Sequence, residues 1–183
     1  MSAKRIVTID QITAGGLDCA LEFGIAAARD VARERGWLQV DWVTGITGLA
    51  RLQRSGSDVF LTGEVRATVR CRCVRCLEPH DRTVSEAFHL TFVTDLDRSH
   101  GEHELRREDM EVEELVGDRL DLAGIAVEQV LLALPDYPVC RDECLGLCPT
   151  CGADRNRSPC ECRAEAIDPR FAVLARWKAA REA

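Results

Sequence analysis

The sequence predicts an α+β protein: an antiparallel β-meander or partly closed barrel with flanking helices and a cysteine-rich zinc-binding tail. Three features carry that expectation. Between Leu38 and Phe92 apolar and polar side chains alternate over long runs, the period of a strand with one buried face. Two other stretches, from Leu21 and from Asp121, space their apolar residues as a helix does. The chain also holds ten cysteines, closely paired and concentrated between Cys140 and Cys162.

Composition bounds the rest. A chain of 183 residues suits one domain with a core plus a small appendage. A formal net charge of -7 argues against a generic, non-specific nucleic-acid binder, although a local basic face remains compatible with it. No apolar run reaches the roughly 18 residues of a membrane span. Lys4 and Arg5 are followed by no apolar stretch, so the first residues do not read as a secretory signal. The expected location is therefore cytoplasmic. In a reducing cytosol close cysteine pairs point to metal binding or redox chemistry rather than to disulfides.

Taken in order, Arg5 to Ile9 reads as a short strand, broken by Gly15 and Gly16. Leu21 to Arg35 reads as a helix, with Leu21, Ile25, Ala28, Val31 and Ala32 on one face and Gly36 as its C-terminal cap. Leu38, Val40, Trp42, Ile46, Ala50 and Leu52 share one strand parity. Ser55 to Asp58 is a hairpin turn. Val59, Leu61, Val65, Ala67 and Val69 then face inward, opposite Thr62, Glu64, Arg66, Thr68, Arg70 and Arg72. A turn at Leu77–His80 leads to a third long strand through Val84, Phe88, Leu90 and Phe92.

Residues 95–114 are rich in Asp and Glu with few apolar residues between them, and read as a mobile acidic loop; the alternative is an acidic surface for a basic partner. Asp121 is placed to cap a helix running to about Ala133, with Ile125, Val130, Leu131 and Leu134 as its apolar side and Pro135 as its stop. Pro169 opens a final helix carrying Phe171, Leu174 and Trp177. The expected division is residues 1–137 as the α+β domain and 138–183 as the cysteine-rich tail.

Cys73-Val74-Arg75-Cys76 and Cys148-Pro149-Thr150-Cys151-Gly152 have the spacing that lets two sulfurs converge on one ion. Zinc takes four ligands, and Cys140/Cys144 and Cys160/Cys162 complete two sets. Proximity favours Cys73, Cys76, Cys140 and Cys144 as one site, fastening the tail to the sheet, and Cys148, Cys151, Cys160 and Cys162 as a second, local one; interleaved partners are the alternative. Two structural Zn2+ ions are the expected cofactors, with iron–sulfur clusters as the rival. A redox dithiol is disfavoured, because neither pair opens a helix of a βαβ unit. Catalytic zinc is disfavoured too, because four thiolates leave no position for water. Cys19 reads as core, and Cys71 as a buried neighbour and spare ligand. His80, His89, His100 and His103 are scattered, and no phosphate loop or Ser/Cys–His pair appears.

Cys73-Val74-Arg75-Cys76-Leu77-Glu78-Pro79 after a strand is one half of a longer pattern. The other half is Leu132-Ala133-Leu134-Pro135, Pro138-Val139-Cys140, Cys144-Leu145-Gly146-Leu147-Cys148-Pro149-Thr150-Cys151-Gly152, Cys160-Glu161-Cys162 and Ile167-Asp168-Pro169-Arg170. Together they resemble the bacterial YceD family, the domain of unknown function 177, also called large ribosomal RNA subunit accumulation protein. The resemblance runs from about Leu38 to Lys178. It implies a role in accumulation or processing of large-subunit (23S) ribosomal RNA and an association with ribosome assembly, since family genes often neighbour that of a small zinc-ribbon ribosomal protein. The family tail usually has Asn-Leu-Asn after the second knuckle, where this chain has Ala153-Asp154-Arg155-Asn156.

Arg66, Arg70 and Arg72 share the exposed parity of one strand, with Arg75 near its end, and could follow a phosphate backbone; the plainer reading is a solvated sheet face. The expected function is a non-catalytic assembly factor whose partner is precursor large-subunit rRNA, a large-subunit ribosomal protein, or both, with no small-molecule substrate and no membrane. The alternative is a metal-dependent nuclease acting on rRNA precursors, which would need carboxylates around a water-accessible ion.

Overall fold

A computed structural model describes residues 5–37, 40–93, 112–162 and Trp177. The chain forms two compact units: Met1–Cys73 with Glu78–Cys140, and Val74–Leu77 with Arg141–Ala183.

The first unit is an open, mostly antiparallel sheet packed against two helices; the meander is the form adopted, and the sheet does not close into a barrel. Its strands are β1 (Ile6–Thr8), β2 (Leu17–Phe23), β3 (Asp41–Trp42), β4 (Ile46–Ser55), β5 (Asp58–Arg72), β6 (Pro79–Val93), β7 (Val112–Glu114) and β8 (Arg119–Asp121). The helices are α1 (Ile25–Glu34) and α2 (Leu122–Leu132). The main sheet runs β2-β4-β5-β6-β7, with β3 paired to β5; β1 and β8 form a separate ribbon. Among the described residues every strand pairing is antiparallel except β6 with β7.

Alternation in β5 sets the sheet's two faces. Val59, Leu61, Val65, Ala67 and Val69 are all at most 1% exposed, whereas Thr62, Glu64, Arg66, Arg70 and Arg72 face solvent. The inward row joins Phe88 and Phe92 of β6, Ala28, Val31 and Ala32 of α1 and most of α2 in one core. α2 is apolar on nearly every side, from Leu122 through Val127 to Val130, as befits a helix buried all round. Asp121 caps it by accepting from the Gly124 N–H at 3.1 Å and also meets the Arg35 guanidinium at 3.0 Å.

Several expectations change. Leu21 to Phe23 is strand, not helix: β2 pairs with β4 from Leu17↔Leu52 to Phe23↔Ile46, and α1 begins only after Gly24. Leu17, Cys19, Leu21 and Phe23 alternate toward the core, and Leu21 and Ile25 also satisfy a helical interval, which blurs the boundary in the sequence. At the other end of α1 the helix closes as expected, with the Trp37 N–H on the Ala32 carbonyl and Gly36 at φ +66°.

From Val40 to Leu52 the run is not one strand, and Leu38 lies outside the described residues. The Val43 and Thr44 N–H groups both donate to the Thr68 carbonyl, a bulge that separates β3 from β4. Trp42 pairs with Val69 and Thr47 with Arg66, five steps against three, so the bulge inserts two residues. An even insertion keeps parity, which is why Trp42 and Ile46 still face the same core. Of the acidic stretch, Val112–Glu114 forms β7, and residues 95–111 lie outside the described residues, as does the final helix except for Trp177, which is helical and exposed.

Candidate metal centres

The second unit is loop-rich and carries six of the ten cysteines. No two of the ten are joined as a disulfide. The sulfurs of Cys73, Cys76, Cys140 and Cys144 all lie within 4.8 Å of one another, and so do those of Cys148, Cys151, Cys160 and Cys162. Among the described residues these are the only groups of three or more Cys, His, Asp or Glu close enough to share an ion. Cys19 and Cys71 belong to neither, and neither do His80 and His89; His100 and His103 lie outside the described residues.

Both C-x-x-C turns are built alike. The Cys73 N–H donates to the Glu78 carbonyl at 3.0 Å, and the Cys148 N–H donates to the Ala153 carbonyl at 2.8 Å, each reaching five residues ahead. The residue after the second cysteine is left-handed in both: Leu77 at φ +63° and Gly152 at φ +73°. Glycine adopts that conformation readily; leucine does not, so the first turn holds a local strain that its surroundings must over-determine. Sequence shows the second turn plainly, through its glycine, and conceals that the first is the same turn.

Around the first cluster, the Arg75 carbonyl accepts from the Leu147 N–H at 2.9 Å. The Arg75 guanidinium donates to the carbonyls of Asp142 at 2.9 Å and Cys144 at 3.1 Å. Arg75 thus ties residues 74–77 to residues 141–147. Cys73, Cys76 and Cys144 are 0, 7 and 4% exposed. Asn156 donates from Nδ2 to the Cys144 sulfur at 3.5 Å, and its Oδ1 accepts from the Leu145 N–H and from Arg141, each at 2.9 Å. The sequence marks this residue only as part of a departure from the family pattern; its contacts arise from folding of the 152–159 loop.

In the second cluster the ionisations of Cys148, Cys160 and Cys162 are held apart. The Cys148 thiol is lowered to about 6, chiefly by the backbone N–H groups of Cys151 and Thr150 and then by the Cys160 thiol. The Cys162 thiol is pushed up to about 12, chiefly by its hydrogen bond with Cys151, and Cys160 is raised chiefly by its bond with Cys148. One thiolate is welcome there and four are not, unless a cation balances them. Zinc with thiolates at about 2.3 Å sets sulfurs roughly 3.8 Å apart in a tetrahedron, a separation both clusters accommodate. Two clusters of four cysteines each could therefore hold metal ions, with a closed all-sulfur shell.

The arginine row lies on the first unit. Arg70 is bidentate with Asp81, Nε–Oδ1 2.8 Å and Nη2–Oδ2 3.3 Å, and its hydrogen bond holds the Asp81 carboxyl below the usual range. That pair is complete above the ordinary carboxylate range and is lost only as pH falls through the lowered value, so Arg70 stays engaged at neutral pH. Arg66 lines an open groove of about 510 Å³ with Glu22, Phe23, Thr44, Thr47 and Thr68. Arg72 is exposed at the end of β5. Glu64 shares the face, so it is mixed in charge rather than a continuous basic stripe. No helix among the described residues is long and apolar enough to cross a membrane.

Comparison with known proteins adds the following. A family model described as large ribosomal RNA subunit accumulation protein YceD matches residues 61–178, a span that takes in both cysteine clusters. An uncharacterized protein of Mycobacterium tuberculosis is 37% identical over 124 residues, covering 68% of this chain and 58% of that protein. An uncharacterized protein of Mycobacterium leprae is 28% identical over 135 residues, covering 74% of this chain and 60% of its own length. The chain thus matches somewhat over half the length of these curated relatives. No solved structure matches it.

Proposed function

The chain belongs to the YceD family, and from that premise we propose that it is a non-catalytic, cytoplasmic factor supporting large-subunit (23S) ribosomal RNA accumulation or processing and ribosome assembly, stabilised by two structural zinc ions. The observation that carries this reading is the pair of four-cysteine clusters inside the span matched by a family named for ribosomal RNA accumulation. A complete thiolate shell suits a structural ion, because it leaves no coordination position at which water could be activated. Zinc at the first cluster would join residues 74–77 to residues 141–147. Zinc at the second would close the 152–159 loop. Small units rich in loops and poor in core need such fastening, and the binding energy of the ion becomes folding energy.

Precursor large-subunit rRNA, a large-subunit ribosomal protein, or both are the proposed partners. For RNA, Arg66 and Arg72 are the residues of the row best placed to meet phosphate, since Arg70 is held by Asp81 and the Arg75 guanidinium is spent on two carbonyls. The alternative, a metal-dependent nuclease, would call for carboxylates framing an open metal position. Incubation of the full chain with precursor rRNA and Mg²⁺ separates the two. The proposal expects association without new cleavage products; processing abolished by an Asp or Glu substitution would establish the nuclease instead.

A further inference from the structure

We infer that Asn156 couples the two cysteine clusters, so that metal bound at Cys148, Cys151, Cys160 and Cys162 raises the affinity for metal at Cys73, Cys76, Cys140 and Cys144. The inference rests on the reading of both clusters as metal sites and goes beyond it, since two sites in one chain can equally fill independently.

Asn156 lies in the loop between Cys151 and Cys160, so both ends of its segment are cysteines of the second cluster. Its side chain, however, serves the first cluster: Nδ2 donates to the Cys144 sulfur, and Oδ1 fixes the backbone of Leu145 and the Arg141 side chain that flank that cysteine. Asp154 aims it, accepting from the Asn156 backbone N–H at 2.9 Å and from Nδ2 at 2.7 Å. The Arg155 N–H also donates to the Gly146 carbonyl at 3.0 Å, laying the loop along residues 144–147.

Before metal binds, a polar loop joining two unligated cysteine pairs has many conformations, and only a fraction of them place Asn156 on Cys144. A metal ion at the second cluster closes the loop and removes most of the rest. The first cluster then receives its metal with the hydrogen bond to one sulfur already set and the carbonyls and amides around Cys144 already ordered. Outer hydrogen bonds to ligands alter metal affinity by about 10–100-fold. By linkage, the first ion strengthens the second site by the same factor. Asn156 is a positioning residue here, acting on the metal through Cys144.

The test is a thermodynamic cycle on the reduced full chain under anaerobic conditions, with Co2+ as the probe and a chelator of known affinity as competitor. The intact chain reports the two-ion association constant; Cys160→Ser/Cys162→Ser and Cys73→Ser/Cys76→Ser report each cluster alone. The expected two-ion constant exceeds the product of the single-cluster constants by about tenfold or more. Asn156→Ala is expected to bring that ratio near one while still binding two ions. It should also shift the sulfur-to-cobalt charge-transfer band of the first cluster to lower energy, because a thiolate relieved of its N–H donor gives electrons more readily. A purely architectural role would not move that band. A ratio of one in the intact chain, or a ratio unchanged in Asn156→Ala, overturns the inference and leaves the metal sites standing. Failure of the intact chain to bind cobalt at either cluster overturns the metal reading and this inference with it.

Discussion

Replacing Gly146 by alanine tests how the first cluster is built. Gly146 sits at φ +68°, and an added Cβ would lie 2.8 Å from the Arg75 carbonyl oxygen and 3.1 Å from the Arg75 Cβ. The left-handed conformation alone costs a non-glycine residue about 1–2 kcal/mol. The obstacle is backbone, so relief requires residues 74–77 to move from residues 144–147. That movement breaks the bond from the Leu147 N–H to the Arg75 carbonyl, worth about 1 kcal/mol. The sum is about 2–3 kcal/mol, which corresponds to a loss of roughly thirty- to a hundredfold in metal affinity when binding and folding are one event. Gly152 is the matched control. Its φ of +73° is similar, but nothing lies within 4 Å of an added Cβ. Gly152→Ala should therefore cost only the conformational term, about tenfold in affinity. The assay is zinc transfer from the loaded full chain to a chromophoric chelator, with circular dichroism as a check on the sheet. Equal affinity in Gly146→Ala and the parent chain, or a larger loss in Gly152→Ala than in Gly146→Ala, would refute the close-packed geometry on which this reasoning stands.

Other outcomes follow from the same contacts. Leu77 is 55% exposed and left-handed, so Leu77→Gly should be neutral or stabilising by up to about 1 kcal/mol in chemical denaturation of the metal-loaded chain, whereas β-branched Leu77→Val should destabilise it. Arg75→Ala removes two charged hydrogen bonds to the carbonyls of Asp142 and Cys144, about 3 kcal/mol together, and should loosen zinc while leaving the salt dependence of any RNA association unchanged. Asp81→Asn and Arg66→Glu/Arg72→Glu should move RNA association in opposite directions: the first frees Arg70 and steepens the salt dependence by about one unit, the second weakens binding. Because the Arg70–Asp81 pair is exposed, Asp81→Asn should leave the midpoint of chemical denaturation almost unchanged.

Much of the first unit is legible in the sequence because a long strand with one wet face writes its period directly. β5 shows this from Val59 to Val69, and Asp121 shows the corresponding logic at a helix start, a short acceptor before an apolar run. The errors have equally physical sources. β2 and α1 meet at Gly24, and Leu21, Ile25 and Ala28 fit a helical interval across the boundary. β3 and β4 read as one strand because the bulge between them inserts an even number of residues. The two cysteine groups follow from spacing, yet the details that shape them do not. Leu77 in a left-handed turn has no glycine to announce it. Arg75 looks like one more exposed arginine until its guanidinium is seen on two carbonyls. Asn156 owes its role to a loop that reaches back to an earlier cysteine, a relation between distant residues that no local pattern encodes.

Whether the eight clustered cysteines hold two structural ions is answered most directly by elemental analysis of the reduced full chain purified anaerobically. The expected result is two zinc ions per chain and no iron, with the eight clustered thiols unreactive toward a thiol reagent while metal is bound. A chain free of zinc with its clustered thiols fully titratable, or one carrying iron and sulfide in place of zinc, would contradict the account.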